Sequence, residues 1–153
     1  MLTLSALENW HIEALDIRSA YLYGKLKEEI YMKQPEGFRV PGQEHKVLCL
    51  LHALYGLKQA GLAWWETLNK SIKDLGFKCL KSDASIFLFQ KKNTSIVVAV
   101  IYVDNVLFCG PTKDLVDEVK GAFMHKWECR DLGPAKQFLH MRIQRNGSKI
   151  LID

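Results

Sequence analysis

The chain has 153 residues, which is enough for one domain with a hydrophobic core of its own. Its net charge of +4 permits a nucleic-acid partner without requiring one. Because no run of 18 apolar residues occurs and the first residues lack a basic segment, we predict no transmembrane helix, no membrane partner and no secretion signal.

The four cysteines indicate the compartment. They are widely spaced and form no Cys-x-x-Cys pair, so we expect reduced thiols and no zinc site. Reduced thiols are typical of intracellular proteins, and we therefore predict a protein of the cytoplasm or nucleus whose cysteines are mostly buried.

Short apolar segments dominate the first third of the chain. His11 to Ile17 predicts a strand that carries an acid near its end, and Gly24 interrupts the compact segment that follows. Glu29 to Lys33 alternates between apolar and polar residues and predicts a second strand, which a turn ending at Gly37 closes. Lys46 to Leu51 is a further short apolar segment.

Two helices are predicted from apolar residues at helical spacing. The first runs from about Ala60 to Leu75, and Gly76 supplies its C-terminal stop. The second begins after Thr112, a good N-cap residue. The predicted buried stripes are Trp65, Leu68, Ile72 and Leu75 in the first helix, and Leu115, Val119, Phe123 and Trp127 in the second.

An apolar hairpin lies between the two helices. Asp83 to Gln90 predicts a strand that turns over residues 91–94 into the unbroken apolar run Ile96 to Val103. Asp104 and Asn105 follow, and their position between two apolar runs predicts that they form the turn. Asp104 is then either part of a solvent-exposed turn or a metal-binding carboxylate at the tip of a rigid hairpin.

The C-terminal segment predicts a second hairpin. Phe138 to Arg145 and Lys149 to Ile152 read as strands on either side of the turn signal Asn146-Gly147. Strands outnumber helices, and hairpins imply antiparallel pairing. The predicted class is α+β, with one antiparallel sheet and helices packed on one face.

Asp16 and Asp104 each follow an apolar, strand-like segment. Two acids at neighbouring strand ends of one sheet could share a site. Paired carboxylates that bind Mg²⁺ are the minimal machinery for in-line phosphoryl transfer.

Four sequence blocks extend this idea. They are Leu15-Asp-Ile-Arg-Ser-Ala-Tyr-Leu-Tyr-Gly-Lys-Leu26, Glu28-Glu-Ile-Tyr-Met-Lys-Gln-Pro-Glu-Gly-Phe38, Leu54-Tyr-Gly-Leu-Lys-Gln-Ala60 and Tyr102-Val-Asp-Asn105. With these blocks the chain resembles the reverse transcriptase of copia-type long-terminal-repeat retrotransposons, in the family's order and over nearly its whole length.

The resemblance implies an architecture and a chemistry. Residues 1–153 would form the polymerase palm, a ferredoxin-like arrangement, and we expect an incomplete enzyme without fingers, thumb or ribonuclease H. The implied activity is RNA-directed DNA polymerisation with two Mg²⁺ (or Mn²⁺) ions. Its implied partners are an RNA or DNA template with a primer, deoxynucleoside triphosphates and other segments of a Pol polyprotein.

The resemblance also assigns residues to the metal site. Asp16 matches the metal-binding acid of the first catalytic motif, and Ile17 would offer its backbone carbonyl to a metal. Asp104 matches the first acid of the Tyr-x-Asp-Asp motif. Asn105 stands where the family has a second acid, so we expect weakened metal binding.

Other residues would contact the nucleotide. Tyr21 matches the aromatic gate that excludes a 2′-hydroxyl, although ordinary core packing would also explain it. Tyr55 and Gly56 fall in the segment that lines the nucleotide and template, and Gly56 would permit close backbone approach or simply form a turn.

The remaining predicted contacts are with nucleic acid. Lys58 could meet a phosphate or be an ordinary surface lysine. The strand from Phe138 to Ile143 matches the one that grips the primer end, and it includes Leu139 and His140. His140 replaces a usual glycine, and an exposed strand histidine explains it better than a metal ligand does.

The departures leave two functional interpretations. One is the palm of a reverse transcriptase from a degraded retrotransposon, inactive as an isolated chain. The other is a transposon-derived domain that binds nucleic acid without catalysis or has no function. The missing acid at Asn105 favours the second interpretation for present activity.

Overall fold

The computed structural model describes residues 1–91 and 95–153, so most of the turn predicted over residues 91–94 lies outside the described residues. The chain forms two compact units, residues 1–18 with 69–153 and residues 19–68. In chain order the elements are α1 (Leu2–Leu7), β1 (His11–Ile17), a 3-10 helix (Ala20–Tyr23), β2 (Lys25–Lys33), β3 (Val47–His52), α2 (Ala60–Asp74), β4 (Lys78–Cys79), β5 (Ile86–Lys91), β6 (Ser95–Tyr102), β7 (Asn105–Gly110), α3 (Lys113–Met124), β8 (Cys129–Pro134), β9 (Gln137–Phe138), β10 (Met141–Asn146) and β11 (Lys149–Ile152).

The first unit is built on a six-stranded sheet in the order β4-β5-β6-β7-β1-β8, and every neighbouring pair is antiparallel. β6 and β7 are the predicted apolar hairpin, and β1 pairs with β7 at the centre of the sheet. The predicted α+β class with a large antiparallel sheet is therefore confirmed.

The central strands are buried on both faces, which explains why their sequences are almost uninterruptedly apolar. On one face α3 packs against β7, β1 and β6, and Phe108 contacts Phe123 of this helix with ring centroids 5.5 Å apart. On the other face Ile12 and Leu107 join a cluster with Phe138 and Ile143, so the small sheet β9–β11 helps to cover it.

Both predicted helices form, with small shifts in the buried stripe. α2 ends before Gly76, whose φ of 90° suits only glycine, but Trp64 rather than Trp65 is its buried tryptophan. Thr112 caps α3 by accepting a hydrogen bond from the Leu115 N–H. The buried residues of α3 are Val116, Val119, Lys120 and Phe123, and Leu115 is only half-buried.

The strand predicted from Phe138 to Arg145 is wrong as a continuous element. Leu139 and His140 have φ values of 51° and 67°, which places both in the left-handed region. They form the two-residue turn of a hairpin in which Phe138 pairs with Met141. The second predicted hairpin is confirmed, because Asn146 pairs with Lys149 across a turn that contains Gly147.

The second unit consists of the 3-10 helix, the antiparallel pair β2–β3 and the first part of α2. Gly24 lies so close to α2 that a Cβ atom would be 2.8 Å from the Trp64 nitrogen and 2.9 Å from the Ala63 carbonyl carbon. Gly24 therefore permits contact between the start of β2 and α2, in addition to interrupting the compact segment.

The four cysteines are all free, but the expectation that most are buried is wrong. Cys109 is buried in β7, whereas Cys49 is exposed on the two-stranded sheet and the other two are half-buried. Cys49 is exposed because β2–β3 has little covering on either face. Within residues 1–91 and 95–153, no helix is long and apolar enough to cross a membrane.

Candidate active site

The two predicted acids lie at the same end of the central strands. β1 and β7 run antiparallel, and their register places Asp16 opposite Asn105. The N–H of Ile17 donates a 2.7 Å hydrogen bond to the backbone oxygen of Asp104. Residues directly opposite each other on neighbouring strands point their side chains to the same face. Asp16 and Asn105 therefore point to the same face, and the Asn105 amide contacts the Asp104 carboxylate.

The turn of this hairpin lies one residue earlier than predicted. Tyr102 pairs with Asn105, so the two turn residues are Val103 and Asp104, and Asn105 is the first residue of β7. Val103 has a φ of 55°, which is unfavourable for a β-branched side chain. Val103 has a positive φ and Asp104 does not, which is the combination of a type II′ hairpin turn, whose twist matches that of the flanking strands.

The side chains at the tip are half-buried, which fits neither a dry interior nor a fully exposed turn. The amide nitrogen Nδ2 of Asn105 donates a 2.7 Å hydrogen bond to Oδ1 of Asp104. In β8, the strand that pairs with β1, the pKa of the Cys129 thiol is raised to about 11, first by burial and then by the negative charge of Asp16. The site is thus acidic, and Asn105 is its neutral member.

The side chains at this site meet part of what a hard divalent cation requires. Mg²⁺ is commonly held by one or two carboxylates and retains several water ligands, which Asp16 and Asp104 could satisfy. In the described part of the chain, however, no group of three or more His, Cys, Asp or Glu side chains could hold a metal ion. The Asn105 amide also occupies a carboxylate oxygen of Asp104 with a hydrogen bond. The residues present therefore fit one cation better than two.

A groove of about 610 Å³ opens beside the hairpin tip. Phe138 is buried beneath it, while Leu139 and His140 are exposed at its rim in the β9–β10 turn. The groove brings three residues predicted to contact nucleic acid next to Asn105. It is lined by Tyr102, Asn105, Leu132, Gln137, Phe138, Leu139 and His140.

The residues predicted to meet the nucleotide lie in the second unit. The rings of Tyr21 and Tyr55 are in contact, with centroids 4.4 Å apart. Gly56 has a φ of 96° and open space around its Cα, so a turn that requires glycine accounts for it. Lys58 is exposed, as an ordinary surface lysine would be.

A charged cluster around the buried Lys120 was missed by the sequence analysis. Lys120 of α3 donates hydrogen bonds to Glu13 of β1 at 2.8 Å and to Asp131 of β8 at 3.0 Å. The spacing of charged and buried residues in the sequence could have indicated this cluster. Lys120 lies four residues after the buried Val116, and Glu13 alternates with the buried Leu15. A charged residue within a buried stripe requires a partner of opposite charge.

Electrostatics in this cluster favour the ionised pair. Burial by itself lowers the pKa of Lys120, but the hydrogen bonds and charges of Glu13 and Asp131 raise that pKa above its usual value. Burial likewise acts to raise the pKa of Asp131, yet the N–H of Gly133 and the Lys120 ammonium bring it below its usual value.

Comparison with known proteins identifies the family. The family described as reverse transcriptase (RNA-dependent DNA polymerase) matches residues 1–153. The retrovirus-related Pol polyprotein from transposon TNT 1-94 of Nicotiana tabacum is 38% identical over 145 residues, which is 95% of this chain and 11% of the relative. The Pol polyprotein from transposon RE1 of Arabidopsis thaliana is 34% identical over 137 residues, covering 90% of this chain and 9% of the relative.

A putative transposon Ty5-1 protein of Saccharomyces cerevisiae is 32% identical over 134 residues, covering 88% of this chain and 43% of that protein. The chain spans about a tenth of the length of the two plant polyproteins. No solved structure matches it. With a family match over its whole length and these relatives, the chain belongs to the reverse transcriptase family of copia-type retrotransposon Pol polyproteins.

Proposed function

We propose that the chain is the palm of an RNA-directed DNA polymerase, in which Asp16 and Asp104 are the metal-binding acids. The reaction is attack of a primer 3′-hydroxyl on the α-phosphorus of a deoxynucleoside triphosphate, with pyrophosphate as the leaving group. The β1–β7 register carries this proposal. It sets Asp16 opposite Asn105, while the Ile17 N–H bonds to the Asp104 backbone.

The two carboxylates would hold Mg²⁺ or Mn²⁺, and Ile17 would contribute its backbone carbonyl. A cation held there would act as a Lewis acid, stabilising negative charge that develops on phosphoryl oxygens during an in-line displacement. The chain's own contribution is to fix Asp16 on the central strand β1 and Asp104 in the turn that leads into its partner β7, where little rearrangement is needed. Asn105 supplies an amide instead of a third carboxylate, so we propose a weakened site of the kind expected in a degraded element.

The other predicted contacts follow the same scheme. The groove beside Asn105 would hold the primer end, with Leu139 and His140 at its rim. In the second unit, Tyr21 and Tyr55 would meet the sugar and base of the incoming nucleotide, Gly56 would allow the chain to turn there, and Lys58 would face a phosphate. Template, primer and nucleotide are thus the proposed partners, together with other segments of a Pol polyprotein.

Manganese binding tests the metal site directly. Mn²⁺ bound to the chain is counted by electron paramagnetic resonance, and nuclear resonances near the site broaden. We expect Asp16→Asn and Asp104→Asn each to abolish this binding. Asp114→Asn, which removes an exposed acid at the start of α3, should leave it unchanged. Equal Mn²⁺ binding by all four proteins would end the polymerase proposal.

A second candidate function is nucleic-acid binding without catalysis. The hydrogen bond from Asn105 to Asp104 favours it, because this bond satisfies a carboxylate oxygen without a metal. In that case a primer–template duplex should bind equally well with Mg²⁺ or with a chelator, and binding should survive Asp104→Asn. A metal-dependent duplex affinity that is lost in Asp104→Asn would instead support the catalytic palm.

A further inference from the structure

Two buried charges and one exposed charge connect the helix layer to the sheet. We call Glu13, Lys120 and Asp131 the Lys120 cluster. Lys120 is 6% exposed and Glu13 is 4% exposed, so both charges are removed from water. Removing one partner from such a group leaves the remaining buried charges without compensation. The intact group fixes the relative positions of the elements that carry it. Here those elements are α3, β1 and β8.

The cluster ends at a β-bulge in β8. Oδ1 of Asp131 accepts two hydrogen bonds, one from the Lys120 ammonium at 3.0 Å and one from the N–H of Gly133 at 2.8 Å. Along β1 the partner of Ala14 is Gly133 and the partner of Leu15 is Asp131, so Leu132 is the extra residue. Gly133 has a φ of 67°, a conformation common at bulges and suited to glycine.

The bulge connects the two faces of the sheet. Successive residues of a strand point to opposite faces, so Glu13 and Asp16 are on different sides of β1. Asp131 pairs with Leu15 and bonds to Lys120, which places its side chain on the α3 side. Leu132 lies on the other side, where it forms a wall of the groove that also contains Asn105.

We propose that Lys120 is a positioning residue for the groove beside the hairpin tip. By holding Asp131, it fixes the bulge and so keeps Leu132 in the groove wall, although Lys120 itself is on the far side of the sheet. The local effect on the bulge is independent of any ligand. Its consequence for the primer end rests on the proposed function.

Hydrogen exchange tests the local effect. We expect Lys120→Met to accelerate exchange at the Gly133 amide by about tenfold relative to amides of the β6–β7 ladder. Lys113→Met is the matched control, because Lys113 is on the same helix but makes an exposed pair with Asp117. If exchange rises equally at Gly133 and throughout β6–β7, Lys120 contributes only to global stability and the proposal is wrong.

A second variant covers the possibility that Lys120→Met does not fold. Asp131 is exposed, so Asp131→Ala removes the same acceptor with little loss of packing. It should deprotect Gly133 in the same way. Glu13→Gln should leave Gly133 protected, because Glu13 does not hold Asp131 and Lys120 keeps its own hydrogen bond to Asp131. A protected Gly133 in Asp131→Ala would overturn the proposal.

A double-mutant cycle tests the groove. A primer–template duplex with 2-aminopurine at the primer 3′ end reports occupancy by fluorescence. We expect Lys120→Met to weaken binding of this end about fivefold, within the range for residues coupled through a network. In a Leu132→Ala background the same change should have no effect, because the wall that Lys120 positions is gone. Equal weakening in both backgrounds would contradict action through Leu132.

The two proposals fail separately. If the unmodified chain binds no duplex at all, the proposed function fails, whereas selective deprotection of Gly133 in Lys120→Met still supports the positioning role. If the duplex binds but Lys120→Met changes neither exchange nor fluorescence, only the positioning role is wrong.

Discussion

Replacing Asn105 with aspartate should strengthen metal binding at the proposed site. The change exchanges an amide that donates a 2.7 Å hydrogen bond to Asp104 for a second carboxylate. A carboxylate about 4 Å from a divalent cation has a charge product of two, which gives roughly 2 kcal/mol in water and about 8 kcal/mol at an effective dielectric constant of 20. Because the tip residues are only half-buried, we expect a value near the lower of these, about 2–3 kcal/mol, or roughly 30- to 150-fold tighter Mn²⁺ binding.

The same substitution should destabilise the metal-free chain. It removes one hydrogen bond, which contributes about 1 kcal/mol, and it sets two carboxylates side by side. We therefore expect Asn105→Asp to lower the free energy of unfolding by about 1–2 kcal/mol without metal. Mn²⁺ at 100 times its dissociation constant should restore about 2.7 kcal/mol.

Two measurements check this reasoning. Paramagnetic resonance gives the Mn²⁺ affinity, and urea unfolding with and without Mn²⁺ gives the stability. Asn146→Asp is the control, since Asn146 is exposed beside the other hairpin turn and should change neither quantity. If Asn105→Asp binds Mn²⁺ no more tightly than the unmodified chain, Asn105 is simply a strand residue beside a turn.

Three other predictions concern the rest of the molecule. Gly24→Ala should lower stability by about 1–3 kcal/mol in urea unfolding, because its Cβ would collide with the backbone of α2, whereas Gly61→Ala meets open space in the same helix and should be neutral or stabilising. Because the folded state raises the pKa of Lys120, its contribution to the free energy of unfolding should be fully present below the unfolded pKa of about 10.4. This contribution should be lost as the pH rises through the folded pKa, and Lys120→Met should remove this pH dependence. At pH 8 a thiol reagent should modify the exposed Cys49 at least about 100-fold faster than Cys129, and equal rates would contradict the raised pKa of Cys129.

The sequence predicts the elements of this fold better than it predicts their ends. The apolar run before Asp104 identifies the central hairpin, yet the turn falls on Val103 because Tyr102 and Asn105 pair directly. Asp and Asn are favoured turn residues, so local preference predicts a turn at Asp104 and Asn105. The pairing register of the strands overrides this preference and moves the turn to Val103 and Asp104.

The other differences have similar causes. The break at Leu139 and His140 carries no glycine or proline signal, and the cross-strand pairing of Phe138 with Met141 imposes the turn. Lys120 is buried because Glu13 is close in space, and sequence periodicity cannot show a partner that distant in the chain. The placement of Asp16 with Asn105 is also a property of the register and not of either segment alone.

The bulge at Leu132 has a further consequence for solubility. β8 is an outer strand of the six-stranded sheet, and a regular outer strand offers a row of free backbone groups to which another chain can add. The extra residue and the left-handed Gly133 interrupt that row, while the opposite outer strand, β4, has only two residues. Both borders of the sheet are therefore poor templates for strand addition, which protects its very apolar centre from aggregation.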